Sequence, residues 1–379
     1  TPIKSSAASD VYKRQDENNT KITGRTIYRD GVRYLGYTGS SVSFRFKGKT
    51  AKVELVSDAS THEKRDYAWV AVFVKEEKDN EISYGAAADE EPYKRFCLDK
   101  DEAEYVLYES DEEKTVTVTL IKYSEAEYAA CGIKWIETDS EEILTPPAAK
   151  KLKIEMVGDS ITCGYGNEGG VEETQHDTSK ENPMGAYSLL TATHLDADVN
   201  VVAWNGKGVI TAYIGEDAPK VKDADWLVPM LYEYTDAGCE RDYLHTPEDK
   251  WEKWDNSNFI PDIITVYLGT NDASYTDNDA ARNEEFVNGY TKFLGTIRSK
   301  NPEIPILCML GTMDKRLCGS VERAVELFNS KNNTDNVYYL ELPFQDEADG
   351  LSINWHPTVK THRKTAEIVE KKIIEILKK

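Results

Sequence analysis

The sequence predicts two domains of different class, an all-β sandwich followed by a parallel α/β sheet wrapped by helices. Three observations predict it. The chain has 379 residues, more than one ordinary hydrophobic core supports. Its opening third consists of short alternating apolar runs separated by turn residues. After two consecutive prolines, Pro146-Pro147, short apolar strands begin to alternate with stretches of helical periodicity.

Taken in order, residues 1–19 are polar and aperiodic, and Ser5–Gln15 resembles translated sequencing adapter, so this tail is set aside from the fold. The sandwich spans residues 20–140. Thr26–Tyr28 and Tyr34–Tyr37 flank the turn Arg29-Asp30-Gly31, and Ser41–Phe46 alternates and ends at Lys47-Gly48-Lys49. Ala51–Val56, Trp69–Val74, Glu104–Tyr108, Thr115–Ile121 and Gly132–Glu137 continue the pattern. Charged breaks at Lys75–Asp79 and Asp111–Lys114 suit exposed turns. Residues 141–150 read as a linker. In the second domain, residues 151–379, the expected strands are Ile154–Val157, Val199–Ala203, Ile263–Leu268, Ile306–Leu310 and Val337–Glu341. Helical patterns fall at Gly185–Leu195, Asn283–Ser299, Val321–Lys331 and Thr358–Leu377. There is no internal repeat.

Composition narrows the partners. The chain carries 46 basic and 68 acidic residues, a net charge of −22. Such a surface repels phosphate backbones and anionic membranes, which argues against nucleic-acid and membrane binding and favours neutral or cationic partners. No apolar run reaches the length needed to span a bilayer and no signal peptide opens the chain. The cysteines (Cys97, Cys131, Cys163, Cys239, Cys308, Cys318) show neither metal-ligand spacing nor a dense disulfide framework. Free thiols in a reducing cytoplasm are the simplest account. A secreted chain whose leader had been removed would read the same. No metal or cofactor constellation is present.

Four stretches carry chemistry. In the first, the strand Ile154–Val157 runs into Gly158-Asp159-Ser160-Ile161-Thr162, which places a serine at the carboxyl end of a strand, where open α/β sheets keep their ligand sites. In the second, Trp204-Asn205-Gly206-Lys207-Gly208 follows the strand Val199–Ala203, and a Gly-X-Gly turn there lets backbone N–H groups approach a substrate, or simply makes a tight connector. The third, Gly269-Thr270-Asn271-Asp272, ends the strand Ile263–Leu268. Asn271 can aim its amide at a developing negative oxygen, or close an Asx turn. The fourth, Asn354-Trp355-His356-Pro357, opens the last helical pattern; a lone histidine before proline is more often structural than catalytic.

In this order the blocks resemble those of the GDSL/SGNH hydrolases. The resemblance implies a flavodoxin-like catalytic domain with Ser160 as nucleophile and His356 as general base. It also implies oxyanion donors from the N–H groups of Ser160 and Gly206 and from the Asn271 amide. Cys163 lies near Ser160 but has no base to activate it. A jelly-roll-like sandwich ahead of such a domain, the run Gly158–Gly166 and the Trp355-His356-Pro357 ending are similar to carbohydrate esterase family 2, over nearly everything from Ile22 to Lys379. That resemblance implies removal of O-acetyl groups from polysaccharides such as xylan or glucomannan, without a cofactor, with Trp355 stacked on a sugar ring. Trp204 and Asp159 join the substrate-side set, Asp159 being placed also to hydrogen-bond neighbouring loops.

One departure concerns the third catalytic member. The family usually has aspartate two residues before the histidine, and here Asn354 stands there. Its amide oxygen can accept the imidazole N–H but supplies no charge. An amide used only as an acceptor leaves two donors idle, which favours a backbone carbonyl as the orienting group; Asp349 is a distant substitute. Trp226, Tyr232, Trp251 and Trp254 offer an aromatic sugar platform or a packed loop over the sheet. The resulting expectation is a serine O-acetyl esterase acting on acetylated oligo- or polysaccharides. Its rivals are a thioesterase or lysophospholipase of the same fold, and a catalytically weak glycan-binding protein.

Overall fold

The computed structural model describes residues 19–77, 90–140 and 143–378. The adapter-like segment, the end of the break at Lys75–Asp79 and residues 141–142 of the expected linker lie outside the described residues.

Among the described residues the N-terminal strands form one antiparallel, nine-stranded sheet. In chain order they are β1 (Lys21–Thr23), β2 (Thr26–Arg29), β3 (Val32–Leu35), β4 (Ser41–Val56), β5 (Trp69–Glu76), β6 (Lys94–Cys97), β7 (Glu102–Lys122), β8 (Gly132–Thr138) and β9 (Ile143–Leu144). β9 lies within the segment read as a linker and pairs with β4. Two strands are longer than the sequence predicts. The breaks at Lys47-Gly48-Lys49 and Asp111–Lys114 are not strand ends: β4 and β7 run through them, side by side. There the register shifts from Gly48↔Lys114 to Thr50↔Glu109, so the extra residues of β7 bulge out while the ladder continues. Bulges bend a strand and increase its twist, and here the sheet curls on itself. Val42, Phe44 and Phe46 of one half of β4 share a core with Val53 and Leu55 of the other half. The sandwich is thus a single curled sheet.

The second domain has five parallel strands: β10 (Leu152–Gly158), β11 (Ala197–Ala203), β12 (Ile263–Tyr267), β13 (Ile306–Leu310) and β14 (Val337–Glu341). Their order is β11-β10-β12-β13-β14. All five residues of β12 and of β13 are buried, so these strands read as continuous apolar runs. The helices are α1 (Ser160–Cys163), α2 (Tyr187–His194), α3 (Val228–Leu231), α4 (Asp272–Thr276), α5 (Ala280–Lys300), α6 (Cys318–Asn332) and α7 (Val359–Leu377). α2 packs on α7 and α5 on α6, a pair for each side of the sheet. On α7 the buried residues Thr361, Thr365, Ala366, Val369, Ile373 and Ile376 recur at three- and four-residue spacing, forming one stripe toward the sheet. The chain reverses direction across the sheet between β10 and β12, the kind of switch point that opens a crevice at strand carboxyl ends.

The two domains share side chains rather than merely touching. Along β5, Val70 and Val72 enter the sandwich core, while Ala71 and Phe73 enter the core of the α/β domain with Ile121 and Tyr123. Burying a side chain such as Phe73 contributes about 1.5–3 kcal/mol relative to exposure. Arg25, with no exposed surface, reaches from the sandwich to Glu155 on β10 at 3.2 Å. It also donates to the carbonyls of Tyr232 and Tyr234, each at 2.8 Å. No described helix is long and apolar enough to cross a membrane.

Candidate active site

β10 delivers Ser160 to the switch point and α1 begins on that residue. Asp159 caps the helix, its Oδ1 accepting from the Ile161 N–H at 3.1 Å. Gly158 is required by close approach: a Cβ there would lie 1.9 Å from Thr162 Oγ1, so only glycine lets the helix fold back against the strand.

His356 comes from the other end of the domain. Its Nε2 lies 2.8 Å from Ser160 Oγ and its Nδ1 lies 3.0 Å from the carbonyl oxygen of Ile353. A carbonyl only accepts, so Nδ1 carries the hydrogen and Nε2 presents its lone pair to the serine hydroxyl. That is the tautomer a general base requires. The turn that makes this possible is strained: Asn354 has φ +51° and Trp355 φ +59°, both in the left-handed region. It is held by Ser352 N–H to His356 O at 2.9 Å, His356 N–H to Ile353 O at 3.1 Å and Gln345 Nε2–H to Trp355 O at 2.7 Å. Ser352 Oγ also hydrogen-bonds Gly166 O. Burial pulls His356 down to about 4, against the opposing pull of the Ile353 and Asn354 carbonyls. The imidazole is therefore neutral at physiological pH, with its Nε2 lone pair free to take the serine proton.

The structure places Asn354 away from the imidazole. Its Nδ2–H donates to the Tyr165 hydroxyl at 3.1 Å, and the Tyr165 ring lies 4.5 Å from that of His356. Asp349 is engaged by Lys360 at 2.9 Å and by Lys364, and does not serve as a substitute. Trp355 stands 64 % exposed beside His356.

The loop after β11 adjoins the nucleophile turn, the Trp204 N–H donating to Gly158 O at 3.4 Å. Gly206 has φ +69°, and nothing lies within 4 Å of the point where a Cβ would sit. The Asp272 carboxylate anchors the following turn by accepting from the N–H groups of Val209, Ile210 and Thr211 at 3.0, 2.8 and 3.3 Å. Asn271 donates through Nδ2 to Lys207 O at 3.0 Å and lies 3.4 Å from Asp159 Oδ2, so its amide also ties the loop to the nucleophile turn. The four motif blocks thus converge on one crevice.

Two residues of the substrate-side set are buried. Asp159 has no exposed surface, and its carboxyl caps α1 and faces Asn271; burial pushes it up to about 7. Trp204 is 3 % exposed and packs against Trp226 at 5.8 Å. The aromatic platform resolves into a packed loop: Tyr232 is fully buried, Arg25 covers Trp254, and Arg241 lies 3.4 Å above Trp226. Cys163 is buried, and burial with the Glu125 carboxylate beside it pushes its thiol well up, the reverse of an activated nucleophile. The backbone carbonyl favoured over Asn354 is that of Ile353, which the sequence left unspecified; sequence reasoning missed the ring stack Tyr165–His176–Tyr128, with centroid distances of 4.2 and 4.8 Å. The run Gly164-Tyr165-Gly166 was the available signal for Tyr165; nothing local marked the others.

Residues 156–364 match the GDSL-like Lipase/Acylhydrolase family. The chain belongs to that family. This GDSL-like acylhydrolase also matches the Carbohydrate esterase 2 N-terminal domain over residues 22–147. It is 28 % identical over 362 residues to "Cellulase/esterase CelE" of Acetivibrio thermocellus, covering 93 % of this chain and 39 % of that protein. The chain therefore spans well under half of that relative's length. It is 26 % identical over 364 residues to "Acetylxylan esterase / glucomannan deacetylase" of Cellvibrio japonicus, covering 94 % and 88 % of the two. A solved family two carbohydrate esterase from Clostridium thermocellum, in complex with cellohexaose, superposes with a TM-score of 0.77 at 27 % identity, over 94 % of this chain and 99 % of that one. A solved family two carbohydrate esterase from Cellvibrio japonicus superposes on this chain with a TM-score of 0.77 at 22 % identity, over 95 % of this chain and 96 % of that one.

Proposed function

We propose that the chain is a serine esterase that removes O-acetyl groups from acetylated oligo- or polysaccharides of the mannan, glucomannan or xylan type. The observation that carries the reading is the 2.8 Å contact of His356 Nε2 with Ser160 Oγ, made by an imidazole whose other nitrogen is committed to the Ile353 carbonyl. Ser160 Oγ attacks the acetyl carbonyl as Nε2 takes its proton. The N–H groups of Ser160 and Gly206, with the Asn271 amide, receive the oxyanion. Collapse of the tetrahedral intermediate breaks the ester C–O bond, and Nε2–H protonates the departing sugar oxygen. Water, deprotonated by the same nitrogen, then releases acetate from the acetyl-serine. The imidazolium formed on the way is stabilised by a carbonyl dipole rather than by a carboxylate. Exposed Trp355 beside the base supports a sugar as the leaving group. The relatives named for acetylxylan and glucomannan support the same class. Acetate release from acetylated glucomannan and xylan, set against a small aryl acetate and Ser160→Ala, tests the reading. Hydrolysis of the aryl ester alone, with no acetate from either glycan, would remove the sugar assignment.

A further inference from the structure

The loop that carries Gly206 is held from both domains. The connection from β7 to β8 leaves the sandwich and runs beneath the nucleophile turn, with Ser124 and Glu125 fully buried. Glu125 Oε2 accepts from the N–H of Asn205, the residue before Gly206, at 2.9 Å. The same carboxyl adjoins the thiol of Cys163, on the last residue of α1, so it touches both strand-end turns of the site. Its own backbone is fixed: Glu125 N–H donates to Glu181 Oε2 at 2.9 Å, and buried Lys122 Nζ donates to Glu125 O at 3.1 Å. Glu181 Oε1 lies 2.9 Å from His176 Nε2, and His176 is the ring that stacks on Tyr165, which in turn meets His356.

Two carboxyl groups buried in this way are a costly means of joining domains. Apolar side chains of the same size would pack the junction at least as stably. What an apolar side chain cannot do is accept the Asn205 N–H. We infer that Glu125, supplied by the N-terminal domain, is a positioning residue that sets the oxyanion loop, so that the catalytic machinery is assembled from both domains. This rests on the esterase reading of Ser160 and Gly206. Burial and the facing Glu181 carboxylate push Glu125 well above the usual carboxylate range. Glutamine, neutral and of the same shape, is therefore its closest substitute, offering an oxygen to Asn205 and an N–H to Glu181.

The Gly206 N–H acts on charge that exists only in the transition state, so misplacing it lowers kcat and leaves KM nearly unchanged. Purified wild type, Ser160→Ala, Glu125→Met, Glu125→Asp and Glu125→Gln are compared on an aryl acetate, with circular dichroism to establish folding. Methionine fills the space without an acceptor, and aspartate is one methylene too short to reach Asn205. Both should lose about 10²-fold in kcat at little-changed KM, the scale of an ångström-level misplacement or a lost oxyanion donor. Glu125→Gln should stay within a few-fold of wild type. Wild-type kcat in a folded Met or Asp variant, or a loss confined to KM, overturns the inference. So does failure of both to fold, which would make Glu125 a folding residue. If wild type itself shows no Ser160-dependent acetyl ester hydrolysis, it is the esterase reading that fails.

Discussion

Asn354 gives its amide hydrogen to the Tyr165 hydroxyl at 3.1 Å and leaves the His356 Nδ1 to the carbonyl of Ile353, three residues upstream. The residue occupying a triad aspartate's place therefore supports the base's neighbour. Asn354→Asp and Asn354→Ala should both keep kcat near wild type. The acid limb of the pH–rate curve should stay in place, because the partner of the imidazole is backbone and survives each substitution. Asn354→Gly should be tolerated best, since φ +51° suits glycine. A large loss in correctly folded Asn354→Ala, with a shifted limb in Asn354→Asp, would show that the amide orients the base.

The pH dependence of hydrolysis has a definite sign. The base works unprotonated, and burial pulls His356 down to about 4 from the ordinary histidine value of about 6.5. Activity should fall only as pH drops through the lower value, so kcat/KM should be flat from about pH 6 upward until other groups titrate. An acid limb centred at 6.5 or above would contradict the arrangement.

Trp355→Ala should separate substrates. The indole is 64 % exposed while its backbone oxygen is held by Gln345 Nε2 at 2.7 Å, so the turn can persist without the ring. Stacking contributes on the order of 0.5–1.5 kcal/mol beyond area burial. The loss in kcat/KM should therefore be several-fold to tenfold on acetylated oligosaccharides and small on an aryl acetate. Equal losses on both would assign the ring to holding His356.

Arg25→Ala should be the most damaging single change at the domain junction. Glu155 accepts from Arg25 at 3.2 Å, from Asn200 at 2.9 Å and from the Tyr232 hydroxyl at 2.6 Å, all buried. Removing the cation leaves that carboxylate uncompensated, a change that typically costs about 3–5 kcal/mol. Chemical denaturation of wild type, Arg25→Ala and Arg25→Ala/Glu155→Gln measures it; the double variant should recover part of the loss. If Arg25→Ala were as stable as wild type, the buried pair would have no part in joining the domains.

Much of this was legible in the sequence, for identifiable reasons. Ser160 and His356 stand in contiguous motifs beside a strong strand and a strong helix, so periodicity and motif agree on where each lies. The partner of Nδ1 was harder to locate, because every residue has a carbonyl. Which one faces the ring depends on Asn354 and Trp355 both adopting positive φ, a state tryptophan's own preference argues against. The long strands β4 and β7 look like four in the sequence because Lys47-Gly48-Lys49 and Asp111–Lys114 carry turn chemistry; opposed in one ladder, those residues form a bulge instead. Trp204 and Asp159 stand beside reactive residues in the sequence, but adjacency does not fix which way a side chain points, and both are buried. Glu125 had no sequence signal at all, being one acidic residue among 68.

The alternation along β5 has a consequence for how the molecule comes apart and how it could be recombined. With Val70 and Val72 in one core and Ala71 and Phe73 in the other, a single strand cannot melt without exposing both. Heating should give one calorimetric peak whose van't Hoff and calorimetric enthalpies agree, rather than two transitions for two domains. The same coupling limits exchange between relatives. A chimaera pairing this catalytic half with another member's N-terminal half would have to match the inward residues of that strand as a set. The two halves are thus expected to diverge in sequence as one unit.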